Sequence, residues 1–478
     1  MNPVFAVLLP LMTAFVIPLI FIFFRRALPV FVLLGGGISS LGGAAVALLG
    51  WSGISVVMGG WAPDLGIALR VDALSASFLV LTSLGFPLVL LSSAEWLGWH
   101  SWRFYVIFFL SWASTNGILV AGDIFNLFVF FEIFSVAAYL LVSFPASSWQ
   151  AVEASFKYLV FGTLGALFML LGISYVFMAT GQLNMEILKG LLPVVPVPTL
   201  GVIGGCLMGG LLVKCGTVPA HFWLPDAHSS ARPPVSALLS GVLVKAPLYT
   251  LLRLGMLFFS PALPQFFPLL LFFGTLSLAV GHLMAIQQEQ IKRMLAYSTV
   301  AQIGTILLGI ACASPLGTAA SLYHVFTHMS AKMGLFLVAG IFLEDRHVHK
   351  ISDMRGFFAV RPFLVIAFAL FAASLAGIPP FSGFQSKWLL LLACAEKGYL
   401  VPALFLLGGT VVSAAYYLKA LGAFCSPSET PPPHHRAHRT TQGVVAFLAI
   451  FSLFLALLPW IPFTKEFLLA LSSGRFFP

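Results

Sequence analysis

The chain has 478 residues, of which 60% are hydrophobic and 8% charged, with a mean hydropathy of +1.03. A soluble domain carries roughly 25% charged residues, so this composition excludes a soluble enzyme and predicts an all-α polytopic membrane protein. The net charge of +9 is read as basic loops on one side of a lipid bilayer. It does not indicate nucleic-acid binding, because no Lys/Arg run with interleaved aromatics stands outside the apolar segments.

A spanning helix needs about 20 apolar residues. Windows of that size predict about fourteen spans, near 3–24, 28–50, 73–93, 104–121, 124–144, 155–178, 198–216, 233–257, 263–286, 294–312, 316–343, 361–380, 400–424 and 442–462. The first span lacks a preceding basic region and a small-residue cleavage site after it, so it reads as a retained helix rather than a leader. Segment 181–197 reads as carrying a short interfacial helix. The Pro-rich stretch SPSETPPPHHRAHRTT (426–441) reads as a polar loop. Its His434, His435 and His438 suit a solvated loop better than a metal tract.

Basic residues assigned to alternate loops split thirteen to six. Lys292, Arg293 and Arg361 fall in the larger set and Arg253 in the smaller. The remaining five of the 24 are Lys157, Lys214, Lys245, Lys332 and Lys387, each within or at the end of an apolar stretch. The positive-inside rule then puts the larger set in the cytoplasm and both termini on the outer side, and the expected location is the cell's inner (plasma) membrane.

Two runs break the helical pattern. In KCGTVPAHFWLPDAHSSARPP (214–234), Pro219, Pro225, Pro233 and Pro234 force the seventh helix to unwind after Lys214. In LAGIPPFSGFQSKW (375–388), Gly377, Pro379, Pro380 and Gly383 do the same to the twelfth. Broken helices at corresponding places in two halves point to a transport path, because freed backbone groups need partners or water. Five helices separate the breaks, and five is odd, so the second unit is expected to be inverted. The expected layout is helices 1–3 in 1–103, one five-helix repeat in 104–258, an inverted one in 259–425, and a polar loop with helix fourteen in 426–478.

A charge at bilayer depth costs at least about 2.5–3.5 kcal/mol on insertion scales and marks function by default. Glu132, in GDIFNLFVFFEIFSVAAYLLVSF, is either a protonated packing residue or the partner of a lysine, for which Lys214 is the choice. Burial disfavours a charged ammonium and a nearby carboxylate favours it, so moving Glu132 changes how tightly the lysine holds its proton. Lys245 lies about twelve residues into its helix, too deep for easy snorkelling. Lys157, near the start of its helix, fits snorkelling equally well. His324, His328 and Lys332 recur every four residues and share one helix face. Neutral histidine both donates and accepts, so the reading is a proton relay; packing histidines and a metal site are the alternatives. HVFTH lacks the glutamate of HExxH, which argues against hydrolytic zinc. Lys387 ends the series, as an outer lysine or an interfacial anchor. His221, Asp226 and His228 flank the first break, as a proton entrance or as caps for unwound backbone.

Cys206, Cys215, Cys312, Cys394 and Cys425 form no CxxC, and no nucleotide or redox motif is present. No cofactor or metal is therefore expected in this chain.

Six runs in order carry a resemblance over about residues 55–425: GDIFNLFVFFEIFS, KCGTVPAHFWLPDAH, PPVSALLSGVLVK, IKRMLAYSTVAQIG, YHVFTHMSAK and AGIPPFSGFQSK. They resemble the antiporter-like subunits of respiratory complex I and their relatives in Mrp-type cation/proton antiporters and membrane-bound hydrogenases. The resemblance implies fourteen core helices with two inverted five-helix repeats. It also implies a polar axis through the membrane's middle: Glu132 with Lys214, then Lys245, then His324, His328 and Lys332, then Lys387. It implies partners, namely other membrane subunits of a large complex, antiporter-like paralogues among them, and a redox arm where the complex is redox-driven. The chain departs from the pattern at Arg232, Pro247, Met329 and Ser330, and it ends soon after helix fourteen, like shorter members. The expected function is proton translocation (H+, with Na+ the other candidate ion) without redox chemistry in this chain. The alternatives are an Mrp-type Na+/H+ antiporter subunit, a stand-alone secondary transporter, and a structural subunit with no conducting path.

Overall fold

The computed structural model describes residues 2–62, 64, 66–146, 148–255, 263, 265–346, 350–428 and 438–458. His434 and His435 of the polar loop, and with them Arg436, Lys465 and Arg475, lie outside the described residues. The chain forms two compact units. Unit 1 is Met1–Cys215 with Val242–Phe266, and unit 2 is Gly216–Gly241 with Phe267–Pro478. Among the described residues, thirteen helices are long and apolar enough to cross a membrane, and each matches a predicted span. The fourteenth predicted span, 361–380, is the shorter helix Pro362–Ala376, cut off by the second break. The outward faces carry large apolar side chains such as Phe15, Leu41, Leu167, Leu404 and Leu418, as a lipid solvent requires, and the protein is an integral multi-pass membrane protein.

In unit 1, helices α1 (Val4–Phe23) and α2 (Leu28–Gly50) precede a hairpin of β1 (Ile54–Val57) and β2 (Ala68–Val71). The strands pair antiparallel with Ile54 opposite Val71 and Val57 opposite Ala68. Helices α3 (Ala73–Leu97), α4 (Trp102–Val120), α5 (Ile124–Ser143) and α6 (Trp149–Thr180) follow, then the short α7 (Met185–Leu191) and α8 (Val197–Cys215). Helix α7 is the short helix expected in 181–197. Asp72 caps α3 in a reciprocal box with Ser75, and Asp123 caps α5 by accepting from the Asn126 amide at 2.6 Å. These caps satisfy helix-end amides that lipid cannot. Helices α6 and α8 approach at backbone distance: a Cβ added at Gly210 would lie 2.4 Å from the Gly165 carbonyl. Small residues allow this contact, and it fixes the last turn of α8, which holds Lys214.

The first break follows at once. Helix α8 ends at Cys215, and a short helix α9 (Trp223–Ser230) leads to α10 (Pro233–Leu238). Residues Leu239–Leu243 form a π turn before α11 (Lys245–Leu254), which belongs to unit 1 and packs on α8 and α4. Pro247 has no N–H to donate back to Leu243, so the i–4 ladder is already interrupted at this point. The departure at Pro247 thus coincides with a π turn, not with the end of the span.

Unit 2 continues with α12 (Phe266–Ile286), α13 (Ile291–Ala311) and α14 (Pro315–Arg346), then α15 (Phe357–Val360), α16 (Pro362–Ala376), α17 (Ser382–Glu396), α18 (Leu400–Cys425) and α19 (Arg439–Leu457). Helix α14 is the hub of the unit, packing on α10, α13, α16, α17 and α19. The second break lies between α16 and α17, where Gly377 takes φ +83°.

Candidate functional site

In unit 1, α5 presents Glu132 and Ser135 three residues apart on one face, toward α8. The Lys214 ammonium donates to Ser135 Oγ at 2.8 Å, and its nitrogen lies 3.9 Å from Glu132 Oε1. It also stands 5.5 Å from the Phe131 ring. The side chains differ in setting: Lys214 is 3% exposed and Glu132 is 42% exposed. The Glu132 side chain therefore reaches the unit's outward surface, while its Oε1, the oxygen nearest the ammonium, is buried. Lys245, at the start of α11, is fully buried.

Lys157 does not join them. It lies on the open face of α6, paired one turn back with Glu153 at 2.8 Å. Arg253, placed in a loop by the charge count, is buried in α11, where its guanidinium holds Asp72 at 2.5 and 2.8 Å. Arg361 is likewise buried in unit 2, paired with Asp345 at 2.8 and 3.0 Å.

In unit 2, α14 carries His324, His328 and Lys332, all buried. The two rings lie 6.5 Å apart. His324 is held at both nitrogens: Nδ1 meets Ser386 Oγ and Nε2 meets Gln302 Oε1, each at 2.8 Å. The Gln302 amide donates to the Leu375 carbonyl at 3.4 Å, which turns its oxygen toward the ring. That assigns a donating Nε2–H to the neutral ring and leaves Nδ1 to accept from Ser386. The Ser386 hydroxyl is also 3.0 Å from the Gly383 carbonyl. It can donate to Nδ1, or turn to Gly383 and accept from a protonated Nδ1, so the site serves both states of the imidazole.

Lys332 donates to the Leu295 carbonyl at 2.8 Å and to Ser298 Oγ, on which the Tyr417 hydroxyl also converges at 3.4 Å. Lys387 donates to the Ala376 carbonyl at 3.2 Å, the last of α16. A break exposes helix-end carbonyls whose dipole favours a cation, and Lys387 occupies that place. No carboxylate within salt-bridge distance of Lys332 or Lys387 is found among the described residues.

Around the first break, Asp226 is taken by Arg293 at 3.0 Å. His228 is buried and stacked on Phe336, with ring centroids 4.6 Å apart. His221 Nδ1 faces the Pro219 carbonyl at 3.3 Å. Lys292, counted with the basic loops, is buried and donates to the carbonyls of Ser229 and Ala231 at the end of α9. His438 lies 3.0 Å from Glu344. Among the described residues no group of three His, Cys, Asp or Glu could hold a metal.

The sequence reading missed several polar residues. Ser135 had a legible signal, sharing the Glu132 face at a spacing of three. Gln302 and Ser386 carry no charge and lie on other helices, so only folding brings them to His324. His282 is buried in α12, its Nδ1 3.3 Å from the Tyr416 hydroxyl. A lone histidine in an apolar run carries no spacing signal.

The family model described as "NADH:quinone oxidoreductase/Mrp antiporter, TM" matches residues 121–413. An NADH-quinone oxidoreductase subunit N from Desulforudis audaxviator (strain MP104C) is 37% identical, over 80% of this chain and 77% of the relative. A Na(+)/H(+) antiporter subunit from Alkalihalophilus pseudofirmus is 31% identical, over 75% of this chain and 73% of the relative. A chain of the membrane-bound sulfane sulfur reductase, an archaeal respiratory membrane complex, superposes with a TM-score of 0.91 at 28% identity, covering 99% of this chain and 98% of that one.

Proposed function

Because this chain belongs to the NADH:quinone oxidoreductase/Mrp antiporter membrane family, we propose that it is the proton-translocating, antiporter-like subunit of a multisubunit membrane complex. The observation that carries the proposal is the Lys214 ammonium held between Ser135 at 2.8 Å and Glu132 at 3.9 Å. Ser135 cannot ionise and Glu132 can, so a shift of the ammonium between them alters the field on its proton. Glu132 is open to the outside of the chain, where a neighbouring subunit can move or neutralise it. That supplies a two-state element which a partner can bias. Lys245, then His324, His328 and Lys332, and last Lys387, carry the proton onward. His221, Asp226 and His228 serve the entrance.

In this proposal 104–258 and 259–425 are the two inverted repeats. The chain sits in the inner membrane with both termini outside. Its partners are antiporter-like paralogues and a redox arm, it holds no cofactor of its own, and H+ is the ion moved. The 37% identity to an NADH-quinone oxidoreductase subunit supports the redox-driven form. A second reading, an Mrp-type subunit exchanging Na+ for H+, rests on the 31% identity to an antiporter subunit.

Pull-down of the tagged chain in mild detergent, with mass spectrometry of its partners, separates the two. Iron–sulfur or nickel subunits are expected, and small membrane partners alone would favour sodium exchange. In the intact complex, Lys214→Ala is expected to abolish coupled proton transport while assembly persists. Transport at the wild-type rate would sink the proposal.

A further inference from the structure

The geometry points to a second function for unit 1: Asp72, Arg253 and Tyr249 form an ionic seal that closes its hairpin-bearing end to protons and cations. The inference rests on the reading of Lys245 as a proton carrier. Lys245, Tyr249 and Arg253 recur every four residues along α11, so they share one face, and Arg253 stands about 12 Å along the axis from Lys245. Beyond Arg253 the polar groups continue to the surface. Arg70 Nε lies 3.6 Å from Asp72, and Arg70 pairs with the exposed Glu186. Arg70, Asn184 and Glu186 line a crevice of about 280 Å³. A line of polar groups therefore runs from this crevice to within about two helical turns of a carrier lysine. A carrier in contact with both sides of a membrane is a leak, so this line needs a barrier.

The cluster has the properties of one. The Arg253 guanidinium keeps its proton, so it cannot pass one on by release. Its fixed positive charge repels hydronium and metal cations, as an arginine does in water-selective pores. Its hydrogen bonds are largely filled within the protein: Nη1 and Nη2 donate to Asp72 at 2.5 and 2.8 Å, and Nε and Nη2 to the Tyr249 hydroxyl at 3.1 and 2.8 Å. Tyr249 in turn gives its proton to the Leu119 carbonyl at 2.7 Å, at the end of α4. Arg253 and Tyr249 are buried, and with these contacts filled only one Nη1 hydrogen is left over, too little to anchor a continuous water wire.

The test is passive proton entry into liposomes holding the full-length chain, read with a trapped pH dye under a potassium diffusion potential. The double variant D72N/R253M removes both charges together and strands neither. It is expected to raise the leak about tenfold, equivalent to lowering the barrier by about 1.4 kcal/mol, and adding Lys245→Ala should return it to baseline. Tyr249→Phe keeps the ion pair but frees two guanidinium hydrogens, and should leak less than the double variant. A wild-type leak in the folded double variant would overturn the seal, as would a leak that survives Lys245→Ala or one equally large in Tyr249→Phe. If the double variant does not fold, Arg253→Lys, whose ammonium can release its proton, is read the same way: a raised leak supports the seal and an unchanged one refutes it. The assay needs no partner or driving reaction. Normal coupled transport in Lys214→Ala therefore sinks the translocation reading separately, whatever the leak.

Discussion

At the residue scale, buried polar contacts hold both His324 and Asp72 in place. Gln302 gives His324 an acceptor for its Nε2–H at 2.8 Å. Stranding a buried donor costs about 1–3 kcal/mol, so Gln302→Ala is expected to slow coupled transport about tenfold with assembly intact. Wild-type transport would remove His324 from the path. Asp72 offers a pH test. Burial raises its carboxyl, but the Arg253 guanidinium outweighs it, helped by the Ser75 amide and Arg70, and the value settles at about 2, below the ordinary 3.8. Its stabilisation, on the order of 2 kcal/mol, is therefore complete above pH 4 and lost as pH falls toward 2. The melting temperature in detergent should drop over that window in the wild type. Asp72→Asn should melt lower at neutral pH and lose less on acidification. An equal drop in both would rule the contribution out.

At the element scale, the breaks were legible because proline and glycine act locally. Helix α8 stops at Cys215 and α16 at Ala376, where Pro219 and Gly377 led the reading to expect it. The β1–β2 hairpin was not legible: ISVV and ALRV are only four residues each, and both were absorbed into a loop. Nor was the π turn, since a run that is apolar on every side carries no period to disturb. The second break has a further requirement. Gly377 holds φ +83°, and a Cβ there would lie 3.0 Å from Lys387 Cδ. Gly377→Val adds backbone strain of about 1–3 kcal/mol and pushes the lysine off the Ala376 carbonyl. Coupled transport should fall more steeply than thermal stability. A stable variant with normal transport would show that Lys387 needs no fixed seat.

At the scale of the whole molecule, composition gave the class and the lengths of the apolar runs gave thirteen of the spans, but counting charges along the chain says nothing of burial. Arg253, Lys292 and Arg361 look like loop charges in one dimension because each lies near the end of an apolar run. They are buried because Asp72, the α9 carbonyls and Asp345 reach them through the fold. Glu132 does lie in mid-helix as expected, but its side chain is 42% exposed, which a count along the chain does not show. If a neighbouring subunit covers it, a carbodiimide should label Glu132 in the isolated chain and spare it in the assembled complex. Equal labelling in both would place the partner elsewhere. The two units also interleave, because Val242–Phe266 returns to unit 1 after Gly216–Gly241 has entered unit 2. Asp72 and Arg253 are 181 residues apart. A ribosome adding about 5–20 residues per second leaves the nascent carboxylate without its guanidinium for roughly 10–40 s. The first unit is therefore completed only after part of the second has been made.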